Sequence, residues 1–300
     1  MISKVLVTGG NGYVGSQLIK YFKKNNINVH SLGKGKDRLN IADNYIDADI
    51  TNPKELEQIN SDYDYLIHCA GISNVRKSVI DPISDFEVNL KGTVNLLDLA
   101  KEQKYKFIFL STVSVYNTKN ILPLKEDSDK KVSSPYGASK LASESYCQAF
   151  YKTYDLDTRI IRLFNIYGPG MRHLFVADMI RKINKAKDTV IINGSGNQIR
   201  DYVYIDDVIS AINIVMQNGK PGEDYNICSG KKIRIYDITK LLLKHLDKEG
   251  ITIKCDEKSY AGDIEKWYGD PSKINKLGFH AKTNFDEGLL SVIKFSKEDK

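Results

Sequence analysis

The sequence predicts an α/β fold: a doubly wound parallel sheet with helices on both faces, and a smaller mixed lobe toward the C-terminus. Three observations predict it. Short apolar runs alternate with longer amphipathic stretches through the first half of the chain, the pattern of βαβ units. The first apolar run, Val5-Leu-Val-Thr8, leads into a glycine-rich turn and then into a helical pattern. Beyond residue 165 the alternation loosens into helices separated by short strands, as expected of a lobe built over the carboxyl edge of the sheet, where such folds bind ligands.

The strands are expected at residues 4–8, 28–32, 45–48, 65–69, 106–111 and 158–163, each short and rich in Val, Ile, Leu, Phe or Tyr. The helices are expected at 12–24, 54–59, 83–104 and 135–154, where apolar residues recur at helical spacing. The last begins with Ser134 as N-cap and Pro135 at the first helical position. Further helices are expected near 175–187, 205–217, 236–246 and 284–296. Residues 1–165 form the expected dinucleotide-binding domain of Rossmann type, to which 201–227 return, and 166–300 the expected substrate-binding lobe.

Composition narrows the function. A chain of 300 residues is long enough for one large domain or a domain with a lobe. No apolar run approaches the roughly 20 residues that span a bilayer. The N-terminus enters a strand pattern without signal-peptide architecture, so a cytoplasmic location is expected. The four cysteines, Cys69, Cys147, Cys228 and Cys255, are far apart, with no Cys-x-x-Cys pair, so neither a disulfide framework nor a metal site is expected. The net charge is +6, with lysines interleaved with acids. No basic stripe of the kind that binds nucleic acid is present.

Gly9, Gly12 and Gly15 have the spacing of a dinucleotide-binding turn. The first allows the tight turn, the second lets the backbone approach a pyrophosphate, and the third lets the helix pack on the strand. Tyr13 and Val14 lie within the turn, and the helix N-terminus supplies N–H donors to phosphate. The second strand ends at Gly33 without the acidic residue that holds an NAD ribose, and Lys34, Lys36 and Arg38 follow. These cations favour NADP(H) over NAD(H), which remains open. Asp49 and Ile50 follow the third strand, where adenine would lie. Ala70 and Gly71 are small, as expected where the chain passes a cofactor.

Tyr136 and Lys140 are four positions apart on one helix face. A free phenol, pKa near ~10, is a poor base at neutral pH, and an ammonium one turn away is expected to lower it. The pair can then exchange a proton with a hydroxyl or carbonyl.

The ordered set Thr8-Gly-Gly-Asn-Gly-Tyr-Val-Gly15, His68-Cys-Ala-Gly71, Asn89-Leu-Lys-Gly-Thr-Val-Asn95, Leu110-Ser-Thr-Val-Ser-Val-Tyr116, Tyr136-Gly-Ala-Ser-Lys140, Arg162-Leu-Phe-Asn-Ile-Tyr-Gly-Pro-Gly170 and Arg200-Asp-Tyr-Val-Tyr-Ile-Asp-Asp207 resembles the extended short-chain dehydrogenase/reductase family, in its nucleoside-diphosphate-sugar epimerase/dehydratase branch. The resemblance implies Tyr136 as acid/base, Lys140 on the nicotinamide ribose, Thr112 orienting the reacting oxygen, and Asn89 supporting the site. It implies a nucleoside-diphosphate sugar as substrate, with Asn165 and Arg200 at positions that contact diphosphate or sugar. Tyr260 stands where many relatives have a second arginine, and Lys258 is the nearby cation that can substitute. The 4,6-dehydratases of the family follow the catalytic Thr with Asp-Glu; here Val113 and Ser114 follow Thr112, which argues against that reaction. Reduction or oxidation at carbon 4 is the favoured expectation, 4-epimerisation the alternative, and a non-catalytic cofactor-binding regulator the third. A homodimer is also implied, in which the 83–104 and 135–154 helices pair across a two-fold axis, with Val94, Leu97, Leu141, Cys147 and Phe150 as apolar candidates.

Overall fold

The computed structural model describes residues 2–258 and 264–298. The strands are β1 Lys4–Thr8, β2 Asn28–Gly33, β3 Asn44–Asp47, β4 Tyr65–His68, β5 Lys106–Thr112, β6 Thr158–Leu163, β7 Asn165–Tyr167, β8 Thr189–Ile192, β9 Ile199–Arg200, β10 Tyr202–Tyr204, β11 Asp224–Ile227, β12 Ile233–Arg234 and β13 Thr252–Cys255. The helices are α1 Tyr13–Lys24, α2 Pro53–Leu56, α3 Val75–Ile80, α4 Pro82–Asp85, α5 Gly92–Gln103, α6 Pro135–Tyr154, α7 Phe175–Lys185, α8 Ile205–Asn218, α9 Ile235–His245, α10 Ser272–Asn275 and α11 Phe285–Glu298.

Seven strands form one sheet in the order β3-β2-β1-β4-β5-β6-β11. The pairings among β1 to β6 are parallel. The order reverses on either side of β1 and β4, which makes the sheet doubly wound with a switch point at their carboxyl ends. All four residues of β4 are buried, as are the last six of β5, as expected for strands covered on both faces.

The chain divides into two compact units. The first comprises residues 1–117, 126–163 and 211–225; one of its cores joins Leu6, Leu32, Leu66, Leu96, Phe107 and Phe109. The second comprises 118–125, 164–210 and 226–300; its core joins Tyr167, Ile180, Ile183, Ile238, Leu242 and Leu289. No described helix is long and apolar enough to cross a membrane.

The start of α6 is as expected from sequence: the Ser134 hydroxyl accepts from Gly137 N–H at 3.1 Å and Pro135 opens the helix. The 83–104 stretch departs from expectation. It is α4, then a π-wound turn Phe86–Lys91, then α5. The wider winding leaves the Asn89 carbonyl accepting from two side chains, Thr93 Oγ1 at 2.6 Å and Ser143 Oγ at 3.0 Å. Such turns often mark functional sites, and this one carries Asn89. The short α3 was not anticipated. Among the apolar residues expected at a dimer face, Leu97, Cys147 and Phe150 are instead buried in the first unit's own core, and Val94 and Leu141 are half-buried. Val79, Ile80, Ile83 and Phe86, on α3, α4 and the first π-wound position, are among the exposed apolar residues.

A buried ion cluster joins α6 to the sheet. Arg162 on β6, fully buried, donates from Nε and Nη2 to Glu144 at 2.9 and 2.8 Å, pairs with Asp224, and donates from Nη1 to the Tyr116 hydroxyl at 2.8 Å. Glu144 also accepts from Ser111 Oγ at 2.5 Å. Removing one member of such a cluster leaves a buried charge short of its partner. Glu144→Ala is expected to lower unfolding free energy by about 3–5 kcal/mol in urea titration. Asp237→Ala, which breaks the exposed Arg234–Asp237 pair, is expected to cost under about 1 kcal/mol.

Candidate active site

The cofactor end is a backbone cradle. Gly9 has φ +71, and a Cβ there would sit 2.8 Å from Ala70 Cα. A Cβ on Gly15 would meet the Gly9 carbonyl oxygen at 2.4 Å. Gly12 N–H donates to Gly9 O at 2.8 Å, and Gly9 N–H to Leu32 O at 2.8 Å, so the turn is tied to β2. Gly12 is also the N-cap of α1; it has no side chain to cap the helix, and no acid lies in the first turn. A helix start without a side-chain cap or an acid, at the positive end of the helix dipole, is an arrangement that fits a pyrophosphate. Tyr13 and Val14 begin α1 and are half-buried.

The ribose end differs from expectation. Lys34, the cation expected at a 2′-phosphate, is an exposed partner of Asp49 at 2.7 Å. Asp49 in turn accepts from Thr51 N and Oγ1 at 2.9 and 2.8 Å. Asp49 and Lys34 thus serve each other and the turn. Ile50 is buried in the core, its side chain directed at Gly92, so the side chain expected near adenine packs inward. The loop that follows β2 is drawn to the glycine turn by Asn11, which donates to Lys36 O at 3.2 Å and accepts from Arg38 N at 3.1 Å.

The chemistry end lies where β5 and α6 meet. Thr112 is the last residue of β5 and caps the short turn Val113–Val115, accepting from Ser114 N at 3.2 Å. Tyr136 is buried near the start of α6, its N–H donating to Ser78 Oγ at 3.1 Å. Burial pushes its phenol up to about 12, against the pull of a hydrogen bond from Thr112 and with a further push from the Asp85 carboxylate. The expectation that Lys140 lowers the phenol is thus not met, because the burial of Tyr136 outweighs the other effects and Lys140 is not among the groups that shift it. Lys140 is itself buried, with Nζ 4.3 Å from the Phe109 ring centroid. Desolvation lowers its ammonium to about 8, opposed by Cys147, Glu144, Cys69 and Asp85. Among the described residues Nζ has no hydrogen-bond acceptor, so a buried cation is left with donors to offer a ribose hydroxyl. With the cradle at Gly9–Gly15, this fits a dinucleotide. Burial also raises the thiols beside Lys140, Cys69 to about 12 and Cys147 higher.

Behind these groups lies a hydrogen-bonded frame that the sequence did not reveal. Asp85, fully buried, takes the Ser139 hydroxyl on one oxygen and Asn89 Nδ2 at 2.8 Å on the other. Asn89 clamps Ile72, accepting from its N–H at 2.8 Å and donating to its carbonyl at 2.9 Å. The loop holding Ala70 and Gly71 is thereby fixed to α6. His68 is buried between Thr8 (2.8 Å) and Thr93 (3.0 Å). Thr93 already donates to Asn89 O, so His68 donates from Nε2 and accepts from Thr8 at Nδ1. Burial keeps its pKa well below the usual range and the ring neutral. Ser139 and Glu144 share the face of Tyr136 and Lys140 at helical spacing, a signal that was available in the sequence.

In the second unit, Asn165 Nδ2 donates to Asp201 O at 2.9 Å. Arg200 lies next in sequence to this carbonyl, on β9. Asp201 itself accepts from Ser229 N and Oγ and from Gly230 N, at 2.6 to 2.9 Å, and from Gly269 N at 3.2 Å. Lys258 is exposed, and Tyr260 lies outside the described residues. No group of metal-ligating residues occurs among the described residues.

The sheet order, the cradle and the Thr112–Tyr136–Lys140 group define a dinucleotide-dependent enzyme of the short-chain dehydrogenase type. The chain belongs to the NAD dependent epimerase/dehydratase family, which matches residues 5–228. It is 31% identical to a putative UDP-glucose 4-epimerase of Methanocaldococcus jannaschii, over 98% of this chain and 99% of that one. The crystal structure of Thermotoga maritima UDP-glucose 4-epimerase with UDP-glucose superimposes with a TM-score of 0.91 at 29% identity, covering 99% of both chains. A dTDP-glucose 4,6-dehydratase of Streptomyces venezuelae, solved with NAD, superimposes at 0.89 and 26% identity, over 99% of this chain and 97% of that one.

Because the Thr112 hydroxyl lowers the Tyr136 phenol, its removal raises that pKa. In Thr112→Val, the rise of kcat with pH is expected to move to higher pH, by about one unit for a lost bond of ~1.4 kcal/mol. A pH–rate profile checks the direction.

Proposed function

We propose that this chain is a nucleoside-diphosphate-sugar 4-epimerase working with NAD(H). The observation that carries the reading is the Thr112-Val113-Ser114 turn. Elimination of water needs an acid/base pair beside the catalytic threonine, and here a buried Val113 and a Ser114 bound to Thr112 occupy those positions. Neither is a carboxylate, so a 4,6-dehydratase is disfavoured although such enzymes are among the relatives. Full-length similarity to a putative and a solved UDP-glucose 4-epimerase is compatible with inversion at carbon 4, as similarity to dehydratases over the same length is with elimination. A bound nicotinamide supplies reversible hydride acceptance.

The chain's own residues supply the rest. Tyr136 takes the proton from the carbon-4 hydroxyl and returns it to the oxygen on the opposite face. Thr112 orients that oxygen and eases loss of the phenol proton. Lys140, its ammonium free of protein acceptors among the described residues, holds the nicotinamide ribose. The positive charge of an oxidised nicotinamide favours the phenolate, offsetting the burial that raises it. Arg200 binds the substrate diphosphate in the second unit, as a guanidinium fork suits phosphate oxygens, with Asn165 beside it. NAD(H) is preferred because Lys34 is engaged by Asp49.

A second reading, an NADP(H)-dependent reductase or dehydrogenase acting at carbon 4, is favoured by one observation: Gly33 stands at the end of β2 in place of an acid, with Lys36 and Arg38 tied near the glycine turn. One assay separates the two. The purified protein is expected to interconvert UDP-glucose and UDP-galactose without net change in nicotinamide absorbance, and Tyr136→Phe to abolish turnover while retaining NAD. Stoichiometric NADPH oxidation by a 4-keto sugar nucleotide, with no interconversion, establishes the reductase instead.

The exposed Val79, Ile80, Ile83 and Phe86 are the surface of a homodimer in this reading, since exposed apolar clusters mark association sites. Ile83→Arg/Phe86→Arg is expected to sediment as a monomer at micromolar concentration where the parent protein sediments as a dimer; equal sedimentation of the two rejects this face.

A further inference from the structure

Within the second unit, β9 is held from both sides. It pairs antiparallel with β12, Ile233 opposite Arg200 and Arg234 opposite Ile199. On its other side the 265–267 segment runs alongside: Ile199 N donates to Glu265 O at 2.9 Å and Trp267 N to Ile199 O at 3.1 Å. This ribbon sets the indole of Trp267 against the side chain of Arg200, with the guanidinium carbon 5.0 Å from the ring centroid. Arg200 Nη1 donates to Ile199 O at 3.0 Å and Glu265 O at 3.2 Å. Trp267 Nε1 is buried and has no partner among the described residues. A buried donor left in that state is a place where the fold has not finished its own hydrogen bonding. The tethers of Asp201 to Ser229, Gly230 and Gly269 fix the backbone just beyond Arg200.

We infer that Trp267 is a positioning residue for Arg200, and that the two act as one phosphate-recognition element for the diphosphate of the nucleotide sugar; this rests on the reading above that Arg200 binds that diphosphate. The physical argument is one of pre-organisation. A free arginine has large rotamer freedom, which phosphate binding would remove. A guanidinium stacked on an indole face gives up much of that freedom beforehand. Its N–H groups lie in its own plane, so the stack fixes the plane without blocking the directions in which a fork meets phosphate oxygens. Two backbone carbonyls on one nitrogen fix the rotation within the plane. A lysine at this position would gain neither effect, because an ammonium has no plane to stack.

Trp267 is the only tryptophan in the chain, so its emission reports on this element alone. The full-length protein is titrated with UDP, with dTDP and with the two nucleosides uridine and thymidine, following tryptophan emission. At least one diphosphate is expected to change the emission and neither nucleoside to do so. By calorimetry, Trp267→Leu is expected to weaken diphosphate binding about tenfold, Trp267→Phe, which keeps an aromatic face, by no more than about twofold, and Arg200→Gln by about tenfold or more. NAD affinity, measured on each variant, reports that the first unit is intact. If Arg200→Gln leaves diphosphate affinity unchanged, the diphosphate reading of Arg200 itself falls. If Arg200→Gln weakens binding and Trp267→Leu does not, only the positioning role falls. If Trp267→Leu does not fold, Trp267→Phe and the parent protein decide: silent emission at saturating diphosphate overturns the proposal.

Discussion

The structure of the first unit depends on one constraint: α6 turns a polar face into the protein. Tyr136, Ser139, Lys140, Ser143 and Glu144 are all buried along it, where an apolar stripe would be the ordinary solution. Each polar group taken from water needs a partner, and the surrounding elements are arranged to provide one. Asp85 receives Ser139, the π-wound turn offers the Asn89 carbonyl to Ser143, and β5 and β6 bring Ser111 and Arg162 to Glu144. Lys140 is the exception, with an aromatic face for company. The proposed catalytic residues and the tertiary packing therefore share one set of contacts, and a change that loosens one loosens the other.

That constraint explains what sequence reading reached and what it missed. The glycine turn, the Ser134–Pro135 helix start and the Tyr136–Lys140 spacing are local: their geometry follows from residues a few positions apart, so the pattern alone carries them. Asp85 was invisible because its partners, Asn89 apart, come from another helix; an aspartate in a helical stretch looks like a solvated one. The π-wound turn has no local signature: the partners of its Asn89, Ile72 and Ser143 among them, lie far off in sequence. Leu97, Cys147 and Phe150 have the spacing of an interface stripe, and spacing does not say which of a helix's apolar faces meets its own core. Lys34 shows the same limit from the other side: a cation after β2 reads as a phosphate ligand, and its ion pair with Asp49, fifteen residues on, is seen only in the fold.

The electrostatics at the site also run against the simple pairwise picture. Burial acts on both members of the Tyr136–Lys140 pair, lifting the phenol and lowering the ammonium, so both shifts disfavour charge. At neutral pH the phenol therefore stays protonated while Lys140, at about 8, is still mostly an ammonium. In the proposed reading, the choice between inversion and elimination lies elsewhere, in Val113 and Ser114 after Thr112. Membership of a family whose relatives perform both reactions is consistent with this: the scaffold that moves a proton on and off a sugar oxygen is common, and the residues that expel water are an addition to it.

The same dry environment has a consequence for durability. Cys69 and Cys147 sit beside Lys140, where a lowered thiol pKa would make them nucleophiles and targets for peroxide. Burial holds both far in the other direction, so they remain protonated and chemically quiet. Oxidants act on the thiolate, which the raised thiol pKa keeps scarce at both positions. The Cys255 thiol on β13 is raised too, by burial and by Glu257 and Asp256, so a reactive thiolate is disfavoured at each of these three cysteines.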